Sequence, residues 1–396
     1  MRILMVNKYL YHKGGAETYF IKLGKYLESM GHEVQYFGMA DERNVVGNSR
    51  GAYADNIDFH KASPEQLTYP LRIIYSHKAV EKICEVIEDF RPEVVHLNNF
   101  NYQLTPSIIY EIKKHNIPIV YTAHDVQLVC PNHKLKNERT EGLCRKCYDG
   151  RYYNCIQNNC IHSSKLRSVI GAAEAWIYRK KHTYKLIDRI ICPSEFMEKE
   201  LLHNMDLADR TQTLYNFIDE IKPTGIEREN YVLYFGRYSE EKGIRTLIKA
   251  AKALPAVQFV FAGRGDMEDE VNSVENIRNM GFKTGAELRG IIEKAAFTVL
   301  ASEWSENCPF SVMESQTLCT PVLGANIGGI PELIDEGVTG MLFESGNARE
   351  LTEKIEYLYN NRELCRQMSE NCKSISYDTI SDYADKIVKI YEEMIK

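Results

Sequence analysis

At 396 residues the chain exceeds what one α/β core usually holds, since single cores stop growing near roughly 250–300 residues, so two lobes are expected. Hydrophobic residues make up 44% and charged residues 26%, which permits a proper core in each lobe and excludes extended disorder. The net charge of −6 conceals an asymmetry: residues 1–195 hold 27 Lys and Arg against 21 Asp and Glu, and residues 196–396 hold 22 against 34, so the front half suits anionic partners.

The chain opens with a short apolar run at residues 3–7, a Lys13-Gly14-Gly15 turn, a helical pattern over 16–30 that stops at Gly31, and a strand-like run at 34–37, which is a βαβ beginning. No signal-peptide layout is present at the start, and no apolar run reaches the roughly 18–20 residues of a membrane span, so a cytoplasmic protein is expected. Strand and helix patterns then alternate at 94–97, 106–115, 119–122 and 190–192. This alternation predicts a parallel sheet covered by helices.

Residues 127–162 break the rhythm with Cys, Asn, Tyr and charged side chains and read as an insert. Of the eleven cysteines, Cys144, Cys147, Cys155 and Cys160 fall within seventeen residues as C-x2-C-x7-C-x4-C. Without an export signal they read as thiols rather than disulfides, either unligated or holding one structural zinc, with Cys130 able to replace a ligand. Residues 164–185 follow with Trp176, Ile177 and Tyr178 between Lys165, Arg167, Arg179, Lys180, Lys181 and Lys185. That pattern fits an ordinary lobe helix or a peripheral membrane contact at the inner face of the membrane.

After a turn-rich stretch at 216–230 a second alternating series begins: strands at 232–235, 259–262, 297–301 and 322–324, with helices at 243–254, 285–295 and near 310–317. A terminal amphipathic helix over 379–395 is long enough to pack back on the first lobe. The expected domains are 1–215, 216–375, and a closing helical segment at 376–396.

Three places carry chemistry. Gly14 and Gly15 precede a helix, where free N–H groups and the positive dipole end suit a phosphate, although the spacing is not that of a dinucleotide fold. Gly236-Arg237 and Lys242-Gly243 put two cations between a strand end and a helix, suited to a diphosphate or to a plain charged turn. Glu306-Asn307-Cys308-Pro309-Phe310-Ser311-Val312-Met313-Glu314 spaces two acids by seven residues around a helix start, where carboxylates and the Phe310 and Ser311 amides can grip hydroxyls. No Asp-x-Asp pair suited to a divalent metal occurs, and no aromatic-basic RNA motif, so no nucleic acid is expected.

The acid pair resembles the E-x7-E signature of glycosyltransferase family 4, and flanking features follow in order: Gly236-Arg237, Lys242-Gly243, Gly263-Arg264-Gly265, Gly281-Phe282, Thr320-Pro321-Val322 and Gly328-Gly329. The resemblance covers all but the cysteine insert. It implies an α/β GT-B protein of two Rossmann-like doubly wound domains facing a cleft, with the acceptor on the first and the donor on the second. It further implies metal-independent, retaining hexosyl transfer from a UDP- or GDP-sugar to a glycan or lipid-linked acceptor, as in cell-surface polysaccharide biosynthesis.

By that resemblance Gly14, Gly15, Gly236, Gly265, Phe282, Asn307, Phe310 and Ser311 line the donor. Arg237 and Lys242 neutralise its diphosphate, Glu314 takes the ribose and Glu306 the transferred sugar. His124, in Tyr121-Thr122-Ala123-His124-Asp125, faces the reacting sugar. Ser311 and Cys319 stand where the family often has glycine. A nucleotide-sugar epimerase or phosphorylase of the same fold is the nearest alternative, and a zinc- and nucleic-acid-binding protein a distant one.

Overall fold

A computed structural model describes residues 1–56, 69–137 and 143–395. The chain folds as two compact units, residues 1–216 with 380–396, and residues 217–379. Both are α/β and both are built on an entirely parallel six-stranded sheet.

The first unit carries β1 (Arg2–Val6), β2 (Glu33–Phe37), β3 (Val94–Leu97), β4 (Ile119–Thr122), β5 (Arg189–Cys192) and β6 (Thr211–Thr213), in the order β2-β1-β3-β4-β5-β6. Its helices are α1 (Gly15–Ser29), α2 (Tyr69–Ile74), α3 (His77–Phe90), α4 (Ser107–Lys114), α5 (Tyr153–Gln157), α6 (Lys165–Lys180) and α7 (Glu195–Leu201). The central strands β3 and β4 are buried along their whole length, as continuous apolar runs covered on both faces should be. Side chains of Leu4, Val6, Val95, Leu97, Ile119 and Tyr121 meet those of α3 and α4 in one core.

The second unit has β7 (Val232–Arg237), β8 (Phe259–Arg264), β9 (Ile277–Asn279), β10 (Phe297–Leu300), β11 (Val322–Ala325) and β12 (Gly340–Phe343), ordered β12-β11-β10-β7-β8-β9. Around it lie α8 (Ile244–Ala253), α9 (Glu268–Asn272), α10 (Gly285–Lys294), α11 (Phe310–Thr317), α12 (Ile330–Leu333), α13 (Ala348–Asn360) and α14 (Arg362–Cys372). The last helix, α15 (Ile380–Ile395), belongs to the first unit and packs against α1 and β3.

The packing of α15 is polar as well as apolar. His96 on β3, fully buried, bonds to the Tyr391 hydroxyl at 2.5 Å and to the Thr122 hydroxyl at 2.7 Å. Thr122 meets Tyr19 of α1 at 3.1 Å, and Tyr19 meets Tyr383 at 2.8 Å. Two tyrosines of α15 thereby close a neutral hydrogen-bonded chain across the sheet, in which the buried hydroxyls and ring nitrogens find partners.

The described part of the insert is mostly turns and bends, its helical pieces being α5 and a 3-10 turn at Tyr148–Gly150; residues 138–142 lie outside the described set. Cys147 and Cys155 are buried together beneath α6, with Cys160 packed on them. Cys130 is buried as well and Cys144 is half-buried. Among the described residues no helix is long and apolar enough to cross a membrane.

Candidate active site

In a doubly wound sheet, ligands bind beyond the carboxyl ends of the strands at the point where the strand order reverses. In the second unit that point lies between β7 and β10. The chain leaving β7 supplies Gly236, Arg237 and Lys242, and the chain leaving β10 supplies Ser302 through Phe310. Two sequence-distant loops are therefore brought side by side, and Glu303 N–H donates to the Glu241 carbonyl at 2.9 Å.

Glycine makes this approach possible at two positions. Gly243 has φ +70°, and a Cβ there would lie 1.8 Å from the Ala301 carbonyl oxygen. Gly328 has φ +63°, and a Cβ would lie 2.3 Å from the carbonyl oxygen of Glu306. A side chain at either place would force the loops apart.

Glu306 is the hub. Its carboxylate is ion-paired with the Lys242 ammonium, accepts from Ser302 Oγ at 2.8 Å and from the Trp304 indole N–H at 3.2 Å. Its backbone carbonyl accepts from Gly329 N–H at 2.7 Å, so the loop after β11 also holds it. The Lys242 ammonium lies 5.9 Å from the centre of the Trp304 ring. A half-buried carboxylate with three donors on it is fixed in direction, which is what recognition of a sugar hydroxyl demands.

The other sequence-derived residues fall around this hub in varied states. Arg237 is exposed and leans on Glu241 at 3.4 Å. Asn307 and Glu314 are half-buried, Glu314 lying within α11. Helix α11 begins after Pro309 with no side chain capping its first turn, at Phe310 and Ser311. The Phe310 ring meets Phe217 edge-on at 6.4 Å. Gly265 follows β8, its Cα pressed against the Tyr238 backbone. Phe282 is 60% exposed, with the Arg264 guanidinium 4.7 Å from its ring centre.

Sequence reading missed Ser302, Trp304 and the hydroxyls of Ser239 and Ser305; the last two are buried with no hydrogen-bond partner, at the same strand-end loops. Small hydroxyls carry no spacing signal, so only the folded loops disclose them.

In the first unit the order reverses between β1 and β3, and another polar group gathers there. Asn7 and Lys8 leave β1, Asn98 leaves β3, and His124 and Asp125 leave β4. His124 Nε2 bonds to Asn98 Oδ1 at 2.8 Å, and its ring meets Tyr19 edge-on at 5.0 Å. Burial lowers its pKa to about 3, so the ring is neutral at physiological pH. Burial likewise lowers Lys8 to about 8, helped by Lys13, and raises Asp125 to about 6.

Gly14 and Gly15 start α1 as expected, but Gly14 is extended, with φ −164°, a conformation open to any residue. The Glu17 carboxylate accepts from the backbone N–H groups of Gly14 and Glu17, and burial raises its pKa. This helix start is thus already met by an internal carboxylate.

The insert thiols of Cys130, Cys147, Cys155 and Cys160 lie near one another. Burial pushes Cys130 up to about 11 and Cys147 up to about 12, and Cys155 rises through its contact with Cys160. Among the described residues, the group with donor atoms mutually within 4.8 Å is a different one, Cys84, Glu111 and His115 on α3 and at the end of α4.

Comparison with known proteins follows the same division. Residues 13–221 match the family model described as Glycosyltransferase Family 4, and residues 216–375 match Glycosyl transferases group 1. An uncharacterized glycosyltransferase of Methanocaldococcus jannaschii is 29% identical over 214 residues, which span 52% of this chain and 60% of that protein. The N-acetyl-alpha-D-glucosaminyl L-malate synthase of Bacillus anthracis is 24% identical over 406 aligned positions, 96% of this chain and 93% of that one. Among solved structures, Anabaena HepE in complex with UDP superposes with a TM-score of 0.68 at 18% identity, over 99% of this chain and 100% of that one. Sucrose-phosphate synthase of Thermosynechococcus elongatus gives 0.71 at 15% identity, over 99% and 98%. At such identities the structural likenesses speak for the fold.

Proposed function

Because the chain belongs to glycosyltransferase family 4 and has the GT-B fold, we propose that it moves a hexosyl group, with retention, from a UDP-sugar to a hydroxyl of a glycan or lipid-linked acceptor. The observation that carries this reading is the Glu306 hub, an oriented carboxylate bonded to a lysine at the switch point of the second sheet. Neighbours of the same fold bind UDP and UDP-glucose, which supports UDP as the nucleotide. Relatives that include a protein of a Klebsiella pneumoniae cps region and an Erwinia amylovora amylovoran glycosyltransferase support a place in polysaccharide biosynthesis.

In this reading Lys242 and Arg237 neutralise the donor diphosphate as charge develops on the leaving group. Glu314 takes the ribose hydroxyls, and the Phe310 and Ser311 amides at the uncapped start of α11 bind the donor. Glu306 holds a hydroxyl of the sugar and exchanges part of its bond to Lys242 for the ligand. The acceptor oxygen bonds to the anomeric carbon on the face from which the diphosphate departs, the carbon–oxygen bond to phosphate breaks, and the acceptor proton passes to the departing phosphate oxygen. Neutral His124 offers a hydrogen bond to the reacting sugar without adding charge.

A thermal-shift panel of UDP-, GDP-, ADP- and CDP-sugars tests the donor reading, because a bound ligand stabilises the folded state by mass action. UDP-sugars should raise the midpoint; a shift with none of the four, or conversion of the donor sugar in the absence of an acceptor, would refute it. For the insert we propose a structural zinc on Cys144, Cys147, Cys155 and Cys160, with Cys130 able to replace one of them. Elemental analysis of purified protein finding far below one zinc per chain would reject it.

A further inference from the structure

Helix α6 plays no part in the transfer reading, yet its surface is unusual. It buries Ser168, Gly171, Ala172, Ala175 and Tyr178 against the first unit. On the opposite side Leu166 is 68% exposed, Val169 41% and Trp176 41%, with half-buried Ala173 between them. Positions 166, 169, 173, 176 and 180 follow the 3-4-3-4 spacing that aligns side chains along one helix face. Single exposed apolar residues are ordinary; three aligned on one helix form a stripe.

The stripe ends in lysine. Lys165 and Lys180 are exposed at its two ends and Lys181 follows, while Lys185 is ion-paired with Asp206 at 3.3 Å. The helix has one acid, Glu174, which turns toward the buried Tyr178 and Tyr184; burial raises its pKa to about 8, so it adds no negative charge to the outward face. The Trp176 indole N–H is satisfied internally by the Gly150 carbonyl at 2.9 Å, leaving the ring itself as outward surface. Tyr153 on α5, which packs on α6, is 48% exposed.

We propose that this face of α6 docks in the plane of an anionic lipid surface, with Leu166, Val169 and Trp176 entering the headgroup boundary and the lysines meeting lipid phosphates. Charge decides among occupants. A second copy would set one lysine-flanked stripe against another, whereas anionic headgroups complement it and the apolar stripe needs a medium it can enter. The docking stands apart from the donor chemistry, since it needs neither nucleotide nor acceptor.

Flotation of the full chain with phosphatidylcholine vesicles, alone or with roughly 30 mol% phosphatidylglycerol, tests this directly. The protein should rise with the anionic vesicles at low salt, stay behind with the neutral ones, and be released as salt screens the lysines. Leu166→Asp/Val169→Asp should lower the bound fraction at least about tenfold with an unchanged thermal midpoint, since both side chains are already exposed. Lys165→Glu/Lys180→Glu should do the same without touching the apolar stripe. Failure of the wild-type chain to float, flotation of both variants like wild type, or a wild-type dimer in gel filtration that Leu166→Asp/Val169→Asp dissociates would each overturn the proposal. Loss of donor binding would leave these outcomes unaltered, so the two readings fail separately.

Discussion

One polar network inside the first unit is built from neutral partners, and one inside the second is built on charged side chains. In the first, Tyr391, His96, Thr122, Tyr19 and Tyr383 form a chain with no formal charge. In the second, Arg228 donates to the carbonyls of Ala295 and Cys319 at 2.8 and 2.6 Å and to two hydroxyls, while the Glu293 carboxylate accepts from Thr224 and Gly225 N–H at 2.6 and 2.7 Å. All eleven histidines lie before residue 204, so the second unit has none. The lesson is that a common sheet architecture tolerates two solutions to buried polarity, and each leaves a different sensitivity. A network held by an arginine is indifferent to protons near neutrality; one that depends on a neutral imidazole responds to them.

The largest effect should come from breaking the Lys242–Glu306 pair. Lys242→Ala is expected to cut turnover about 100- to 1,000-fold, the range for removing a group aimed at developing charge. Lys242→Ala/Glu306→Gln should fall little below the worse single variant, because the two residues act as a unit. Costs that simply multiply in steady-state kinetics would show that the pair is not one device.

Next in size is Gly243→Ala, where positive φ and the nearby Ala301 carbonyl together should cost about 3 kcal/mol. Each unit holds one tryptophan, Trp176 in the first and Trp304 in the second, so fluorescence can assign the loss. Denaturation followed in a Trp176→Phe background should weaken, and the same substitution followed in a Trp304→Phe background should show no change in the first unit.

The smallest predicted effect sharpens the contrast in acid. His96, His124 and His133 have folded pKa values near 3, lowered by burial, against about 6.5 when unfolded. The unfolded state therefore binds more protons between those values, and the first unit should lose stability as pH falls below about 6.5. Asp125, raised to about 6, Glu174, raised to about 8, and Glu17, raised by burial, work the opposite way and offset part of this loss, which is why the effect is small. On lowering pH from 7 to 5 the Trp176 transition should move to lower temperature while the Trp304 transition holds; parallel movement would erase the distinction.

Much of the fold was legible because its strands are continuous apolar runs. The runs at β3, β4, β8 and β11 announce themselves, as do α1 and α8 through their apolar faces. Helices α13 and α14 were not anticipated: α14, RELCRQMSENC, holds few apolar residues and owes its stability to packing, whereas α13 carries Leu351, Ile355 and Leu358 at a helical spacing that went unread. The three-residue edge strands β6 and β9 are too short to show alternation. At the site, the two acids and the cations were readable from spacing. Their pairing was not: Lys242 and Glu306 stand 64 residues apart, and only the strand order sets their loops side by side. The phosphate expectation at Gly14 and Gly15 was read from the glycines alone; what it did not include is Glu17, two residues past Gly15, whose carboxylate accepts from the Gly14 and Glu17 amides.

Helix α15 has a consequence for how the protein is made. Its tyrosines satisfy His96 and Tyr19 deep in the first unit, yet the ribosome synthesises α15 only after every residue of the second. During translation the second unit can finish folding while its predecessor still waits with His96 Nδ1 unmet and the Tyr19 hydroxyl one partner short. A nascent chain stalled before residue 380 should thus be the species that chaperones hold longest.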